Sequence, residues 1–157
     1  MGEDVIERLE FINSRLGYTK LSDGSIVILR VAVVDVRVRG SSSPFGIDFE
    51  VNATTGLSVY PSKDAVEEVK DKPILEPGKT INKGWVRVDI VEKKPAYEEV
   101  RFTDEGVGTY VVRVEIEPIM ASRNVMVKTI RNEPLYVIRW VPKITWREAS
   151  SKGGTKS

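Results

Sequence analysis

A two-residue alternation of apolar and charged side chains runs through much of this sequence and restricts it to few kinds of fold. Residues 34–39 read VDVRVR, so that the valines face one way and the charged residues face the other. The same alternation recurs at residues 45–51, 85–91 and 110–117. Successive side chains of a β-strand point to opposite faces of a sheet. The pattern therefore predicts a chain built mainly from strands with one buried and one solvated face.

Turn-forming residues separate these segments at short intervals, as in LSDGS at residues 21–25 and RNEP at residues 131–134. About seven to nine short strands with such spacing are typical of an antiparallel β-sandwich or an open barrel. We expect one mostly β domain over residues 1–149. The polar residues 150–157 are expected to form a flexible tail. Because residues 26–33 are apolar on both faces, they predict the central strand of the fold.

Two segments carry a helical pattern instead. In the first, four apolar residues recur at spacings of four, three and four and so share one helix face: Val5, Leu9, Ile12 and Leu16. Acidic residues precede this stripe and Gly17 follows it, which predicts a helix over about residues 3–16. Ser62 is placed to cap a second, shorter helix over about residues 62–71.

One local pattern resembles the strand entry of immunoglobulin-like and fibronectin-like sandwiches. Residues 104–114 read DEGVGTYVVRV, in which an acid, a glycine and a tyrosine precede an alternating strand. The resemblance implies that Tyr110 opens an inner strand and that its hydroxyl bonds to nearby backbone. It covers this segment alone, and it implies a sandwich fold without implying a function.

The chain contains neither histidine nor cysteine, which excludes several kinds of site. Imidazole-activated nucleophiles, HExxH metal sites and histidine pH sensors are excluded, as are disulfides and cysteine-ligated metals. Glycine-rich phosphate loops of the GxxxxGK[ST] or GxGxxG type are also missing from the sequence. We therefore expect no cofactor and no enzymatic activity. The absence of Cys and Gln beside abundant Glu, Lys, Arg and Val favours a thermophilic source.

The apolar runs are too short to cross a membrane as helices. The longest, residues 26–29, ends at Arg30, and Asp35 ends the next one, whereas a spanning helix needs about 18 or more apolar residues. The acidic start MGEDVIERLE also lacks the basic and apolar regions of a secretory signal. These features predict a cytoplasmic protein that has no membrane segment.

Positive charge is concentrated in the last quarter of the chain. From residue 119 onward, eight basic residues stand against two acidic ones, an excess of +6 in a chain with a net charge of +1. Aromatic residues are interleaved with these cations. Sheet proteins that bind single-stranded nucleic acid combine cations for phosphates with exposed rings for bases. The region therefore predicts a nucleic-acid-binding surface formed by Arg123, Lys128, Arg131, Arg139, Lys143, Trp146 and Arg147.

The orientation of the two tryptophans decides whether such a surface has rings available for stacking. In residues 135–141 the alternation places the aromatic residues on one face and Arg139 on the other. This parity favours a core position for Trp140. Pro142 interrupts the strand, so that Trp146 is either a second core residue or an exposed ring.

Two pairs of carboxylates offer the only route to catalysis. Asp48 and Glu50, and likewise Glu115 and Glu117, lie two residues apart and share a strand face. Such pairs can bind a divalent cation or divide acid and base roles. The solvated face of an alternating strand accounts for the same residues, however, and this interpretation is favoured.

Three functional hypotheses follow from these observations. The favoured one is a non-catalytic interaction module, or a subunit of a larger cytoplasmic assembly, with a protein partner or self-association. The alternative is nucleic-acid binding through the basic C-terminal strands. The third is a carboxylate-dependent hydrolase.

Overall fold

A computed structural model of the protein describes residues 7–149, without the side chains of residues 41 and 42. Within this range the chain forms one short helix, α1 (Lys63–Glu68), and nine strands. The strands are β1 (Leu9–Arg15), β2 (Gly17–Leu21), β3 (Ile26–Ser43), β4 (Gly46–Tyr60), β5 (Trp85–Val88), β6 (Ile90–Lys94), β7 (Ala96–Asp104), β8 (Gly108–Lys128) and β9 (Pro134–Glu148). The prediction of a mostly β chain with seven to nine antiparallel strands is confirmed.

The long strand β8 organises the first sheet, which we call sheet A. On one side of β8, β7 pairs with its first half and β5 with its second half. On the other side, β9 pairs with it along most of its length, and β1 lies outside β7. All of these pairs are antiparallel.

The second sheet, sheet B, has the order β4-β3-β2-β6. Strands β3 and β4 form a long hairpin whose register runs from Ile26 opposite Tyr60 to Ser43 opposite Gly46. Strand β2 pairs with the first part of β3 on its other side, from Gly17 opposite Leu29 to Lys20 opposite Ile26. The segment predicted to be a central strand is therefore an interior strand of sheet B.

The two sheets pack face to face over one apolar core. Inward-facing residues of β3 and β4 meet those of β7, β8 and β9 there. Phe49 of β4 lies among three aromatic rings of sheet A and meets each of them edge-on, at centroid distances of 5.2–5.5 Å: Phe102, Tyr110 and Trp146. Edge-on contacts of this kind are favourable arrangements for aromatic rings.

Two nearly continuous strands close one side of the fold by passing from one sheet to the other. Strand β1 of sheet A leads into β2 of sheet B, and β6 of sheet B leads into β7 of sheet A. Gly17 lies where these strands cross, and a Cβ atom there would come within 2.4 Å of the Ala96 nitrogen. Only glycine permits the two backbones to approach so closely.

The predicted N-terminal helix is wrong, because Leu9–Arg15 form strand β1. Strand β1 pairs with β7, with Leu9 opposite Phe102, and residues 3–6 of the predicted helix lie outside the described residues. Helical spacing of a few apolar residues is a weak preference, and the backbone hydrogen bonds along the edge of β7 override it. As a result, Phe11 and Ile12 are exposed on an edge strand.

The short internal helix is confirmed, although it ends earlier than residue 71. The Ser62 hydroxyl accepts a hydrogen bond from the Ala65 N–H at 3.2 Å, and Asp64 lies in the first turn. The predicted tail, residues 150–157, lies outside the described residues. Within residues 7–149, no helix has the length and apolar character needed to cross a bilayer.

Candidate interaction surface

Arg123, the first of the predicted nucleic-acid contacts, belongs to an ion-pair network. Its side chain is 18% exposed, and its two terminal nitrogens donate to Asp23 Oδ2 at 2.9 Å and to Glu68 Oε1 at 2.8 Å. Asp23 also accepts hydrogen bonds from the Tyr136 hydroxyl at 2.7 Å and from the Ser25 N–H at 2.9 Å. The network joins β8 and β9 to the β2–β3 turn and to the end of α1, so that this guanidinium is already engaged.

The pKa shifts in this network favour its charged and bonded state. Burial alone would raise the pKa of Asp23, but hydrogen bonds from Tyr136, Ser25 and Arg123 outweigh burial and lower the pKa of this carboxyl. Burial, followed by the nearby Asp23 carboxylate, raises the pKa of Tyr136. At neutral pH Asp23 is therefore ionised and the Tyr136 hydroxyl is protonated, as a structural hydrogen bond between them requires.

Lys128 and Arg131 lie near the turn between β8 and β9. The Lys128 Nζ donates to the carbonyl oxygen of Lys70 at 2.6 Å, and its backbone bonds with the loop that precedes β5. Lys128 thus holds that loop against β8. Arg131 is exposed in the turn and borders a cleft described below.

Arg139, Lys143 and Arg147 form a row on the outer face of β9. They lie four residues apart and are exposed, which spaces neighbouring members by about 13 Å along an extended strand. Lys143 forms an ion pair with Glu117, which also contacts Lys93 at 3.0 Å. Within residues 7–149, neither arginine of the row forms an ion pair.

Both tryptophans of β9 point toward the core. Trp146 packs edge-on against Phe49 at 5.3 Å, and Trp140 packs against the buried cluster between the sheets. The core position predicted for Trp140 is confirmed, and Trp146 takes the core position of its two alternatives. The aromatic rings and the row of cations therefore lie on opposite faces of β9.

The first pair of carboxylates, Asp48 and Glu50, shares the outer face of β4. Buried Phe49 lies between them on the other face, as the alternation predicts. Asp48 contacts Arg39 at 3.8 Å, and Glu50 borders a small depression beside Arg37. The two carboxylates therefore do not converge on one cavity.

The second pair, Glu115 and Glu117, shares the outer face of β8 with Arg113. Glu115 lies 3.6 Å from Arg113, and Glu117 contacts Lys93 and Lys143. In the described part of the chain, no group of three or more acidic residues is arranged to hold a metal ion. Asp48, Glu115 and Glu117 are therefore engaged in charge pairs on the outer faces of their strands.

On the side away from the strand crossing, each sheet ends in a strand that is paired on one side only. Within residues 7–149, β4 pairs with β3 alone and β9 pairs with β8 alone. We call β4, β9 and the gap between them the open side. Near one end of this side, Phe49 contacts Trp146. Toward the other end, the strands flank a cleft.

The cleft has a volume of about 620 Å³ and a mostly apolar lining. Leu57 and Val59 of β4 form one wall, and Tyr136 and Val137 of β9 form the other. The segment before and at the start of β5 adds further apolar residues: Leu75, Ile81 and Trp85. Three charged residues also border the cleft: Lys79, Arg131 and Glu133.

The backbone of β9 presents alternate hydrogen-bonding groups to the open side. At its two ends, the Glu133 carbonyl accepts from the Thr129 N–H at 2.8 Å, and the Ala149 N–H donates to the Thr109 carbonyl at 2.9 Å. Both bonds run to the β8 side and both involve odd-numbered residues of the β9 segment. In a strand, backbone groups of alternate residues point to the same side, so the even-numbered residues of β9 point to the open side.

The positions of the two prolines in β9 are consistent with even-numbered residues facing the open side. Pro134 and Pro142 are both even-numbered, so that their missing N–H groups fall on the open side and cost no bond to β8. Three successive even-numbered residues between the prolines direct N–H groups outward: Tyr136, Ile138 and Trp140. Sequence reasoning missed the open side because the order of strands in a sheet depends on long-range pairing. The spacing of the two prolines was its only local signal.

No protein-family model, no curated protein and no solved structure matches this chain.

Proposed function

We propose that this protein is a non-catalytic interaction module that binds another polypeptide through its open side. One observation carries the proposal: two strands of 15 residues, each unpaired on one side within the described residues, flank an apolar cleft. Free backbone groups beside an apolar groove are the features that proteins use to bind an added strand. The module would serve as a subunit of a larger cytoplasmic assembly in a thermophile.

The part of the outer face of sheet A formed by β1, β7 and β8 contrasts with the open side. Side chains there already pair with one another: Arg113 donates to Glu99 at 3.1 Å, and the Tyr97 ring lies 3.7 Å from the Arg113 guanidinium and 4.7 Å from that of Arg15. Charges paired in this way on a solvated face gain little from a partner. The open side instead offers exposed apolar surface, which can gain free energy when it is covered.

Nucleic-acid binding through β9 is the alternative function. The row of Arg139, Lys143 and Arg147 supports it, since exposed cations can follow a phosphate backbone. Against it, the β9 tryptophans face the core, and Arg123 is engaged with two carboxylates. The row therefore supplies cations without the stacking rings that single-strand binders use.

Site-specific photo-crosslinking tests the proposed function. Val137 is 53% exposed and borders the cleft, whereas Val91 is 67% exposed on β6, on the other side of the fold. Each position receives a photoreactive amino acid in otherwise identical proteins, which are then irradiated in extract from the source organism. We expect position 137 to label a defined polypeptide that position 91 does not label.

Two outcomes of this experiment count against the proposal. Equal labelling from positions 137 and 91 would show that the open side has no special role. An adduct at position 137 that nuclease removes and protease leaves intact would instead support nucleic-acid binding.

A further inference from the structure

We infer that the partner supplies an extended, acidic segment that pairs with β9 along residues 135–141 and places apolar side chains in the cleft. This inference rests on the proposed function, because it names the kind of partner that the same open side would bind. Three properties of the open side support it: the direction of its free backbone groups, the lining of the cleft and the signs of the charges around it.

The backbone of β9 provides the pairing groups. Tyr136, Ile138 and Trp140 direct N–H and C=O groups to the open side, and Pro142 ends this uninterrupted run. A strand rises about 3.3 Å per residue, so residues 135–141 offer an edge roughly 20 Å long. This length suits a partner segment of about seven residues.

The apolar lining of the cleft indicates which side chains the partner segment needs on the face that it turns toward β4. An added strand beside β9 would lie between β9 and β4, with alternate side chains directed at Leu57 and Val59. Leu57 is 42% exposed without a partner. Apolar side chains at every second position of the segment would cover this surface.

The outer face of β9 indicates which charge the other side chains of the partner segment need. Arg139 is exposed on this face and forms no ion pair within residues 7–149, and Val137 and Val141 flank it at two residues' distance. Among the described residues that border the cleft, Lys79 and Arg131 are opposed only by Glu133. An acidic side chain opposite Arg139 would form a cross-strand ion pair, whereas a basic one would be repelled.

The same charges disfavour a second copy of this chain as the added strand. In an antiparallel pair of β9 strands centred on Ile138, the middle of the free edge, the two Arg139 side chains would occupy diagonal positions about 7–8 Å apart on the same face. Cations on an edge strand are a common protection against such self-pairing. An acidic segment from another polypeptide has no such conflict.

Peptide binding to the purified full-length chain tests the inference. The probe is a blocked peptide of seven residues in which valine alternates with glutamate, and its matched control carries lysine in place of glutamate. Binding is measured by calorimetry at about 50 mM salt, where screening is weak. We expect the acidic peptide to bind at least tenfold more tightly than the basic one.

Variants of the chain separate charge recognition from a nonspecific effect. Arg139→Glu is expected to remove or reverse the preference for the acidic peptide. Lys94→Glu, an equal charge change at an exposed position of β6, is expected to leave it unchanged. Leu57→Asp is expected to weaken binding of the valine-containing peptide at least tenfold, and Val91→Asp serves as its control.

Backbone methylation tests strand pairing directly. Two versions of the acidic peptide carry N-methyl groups, one on the valine amides and the other on the glutamate amides. Because a strand turns only alternate amides toward its neighbour, one version should lose binding and the other should keep it. If both versions bind like the parent peptide, the inference is overturned.

Other outcomes would also overturn the inference. These are equal binding of the acidic and basic peptides, no binding of either peptide, and a dimer of the free chain whose contact the peptide breaks. Preferential binding of a single-stranded oligonucleotide that Arg139→Glu abolishes would overturn it in favour of nucleic acid. Crosslinking of a polypeptide from position 137 despite failure of the peptides would leave the proposed function in place and reject only the acidic segment.

Discussion

Asp23 accepts hydrogen bonds from three separate parts of the chain, so that a single carboxylate connects distant segments of the fold. Tyr136 reaches it from β9, Arg123 from β8, and Ser25 from the adjacent turn. A hydrogen bond to a charged group contributes about 1.5–3 kcal/mol to stability. The basic segment around Arg123 predicts a nucleic-acid contact at this residue. The cluster gives Arg123 a structural role instead.

We expect protonation of Asp23 at low pH to lower the free energy of unfolding. Its pKa in the folded protein lies below the ordinary value of 3.8, so the unfolded chain binds the proton more readily. The stabilisation is thus fully present above the ordinary pKa and is lost as the pH falls through the folded pKa. We expect Asp23→Asn to lower the unfolding free energy at pH 7 by about 1–3 kcal/mol and to flatten its decline under acid.

Urea unfolding over a pH series measures this effect. Glu105→Gln, in the exposed turn between β7 and β8, is the control and should follow the wild type. An Asp23→Asn protein with the wild-type stability and acid dependence would show that the cluster adds nothing to the fold.

The sequence predicts the orientation of some side chains but not the long-range contacts of others. Alternation alone predicts that Arg139 and Trp140 face opposite ways, since only the strand period is involved. The engagement of Arg123 was not predictable, because its partner Asp23 lies 100 residues earlier in the chain. Only the folded arrangement of the strands brings the two together.

At the level of the elements, the first strand shows where local patterns fail. Its helical spacing is real, but β7 offers an edge with which Leu9–Arg15 can pair. The short helix α1 was predictable because its cap is local: the Ser62 hydroxyl bonds within its own first turn. Long-range pairing, by contrast, leaves little trace in a short window of sequence.

The strand crossing at Gly17 should tolerate no side chain. An added Cβ would lie 2.4 Å from the Ala96 nitrogen and 2.5 Å from the Lys94 carbonyl oxygen, both of which are backbone atoms. We expect Gly17→Ala to lower the unfolding free energy by about 1–3 kcal/mol, because crowded backbone must shift. Chemical denaturation of the purified variant measures the change.

Gly56 provides a matched control for this substitution. It lies within β4, and nothing lies within 4 Å of the position of an added Cβ. Gly56→Ala should leave stability unchanged or raise it slightly, since alanine restricts the unfolded chain. Equal losses from both substitutions would contradict a specific role for the close approach at Gly17.

At the level of the whole molecule, two antiparallel sheets are joined by crossing strands on one side and end in β4 and β9 on the other. The mostly β class was predictable from the alternation of apolar and charged residues, because a strand with one buried face requires this alternation. The open side did not follow, because a strand in the middle of a sheet and a strand at its edge can share the same alternation. The direction of the free groups on β9 emerged only from its bonds to β8.

Amide hydrogen exchange along β9 tests most directly whether the open side is free to accept a partner strand. In the free protein, the N–H groups of residues 136, 138 and 140 should exchange much faster than those of residues 137, 139 and 141, which point to β8. The acidic peptide should slow exchange at the even-numbered positions and leave the odd-numbered ones unchanged. Equal protection of both sets in the free protein would contradict the account, because it would mean that the edge of β9 is already covered.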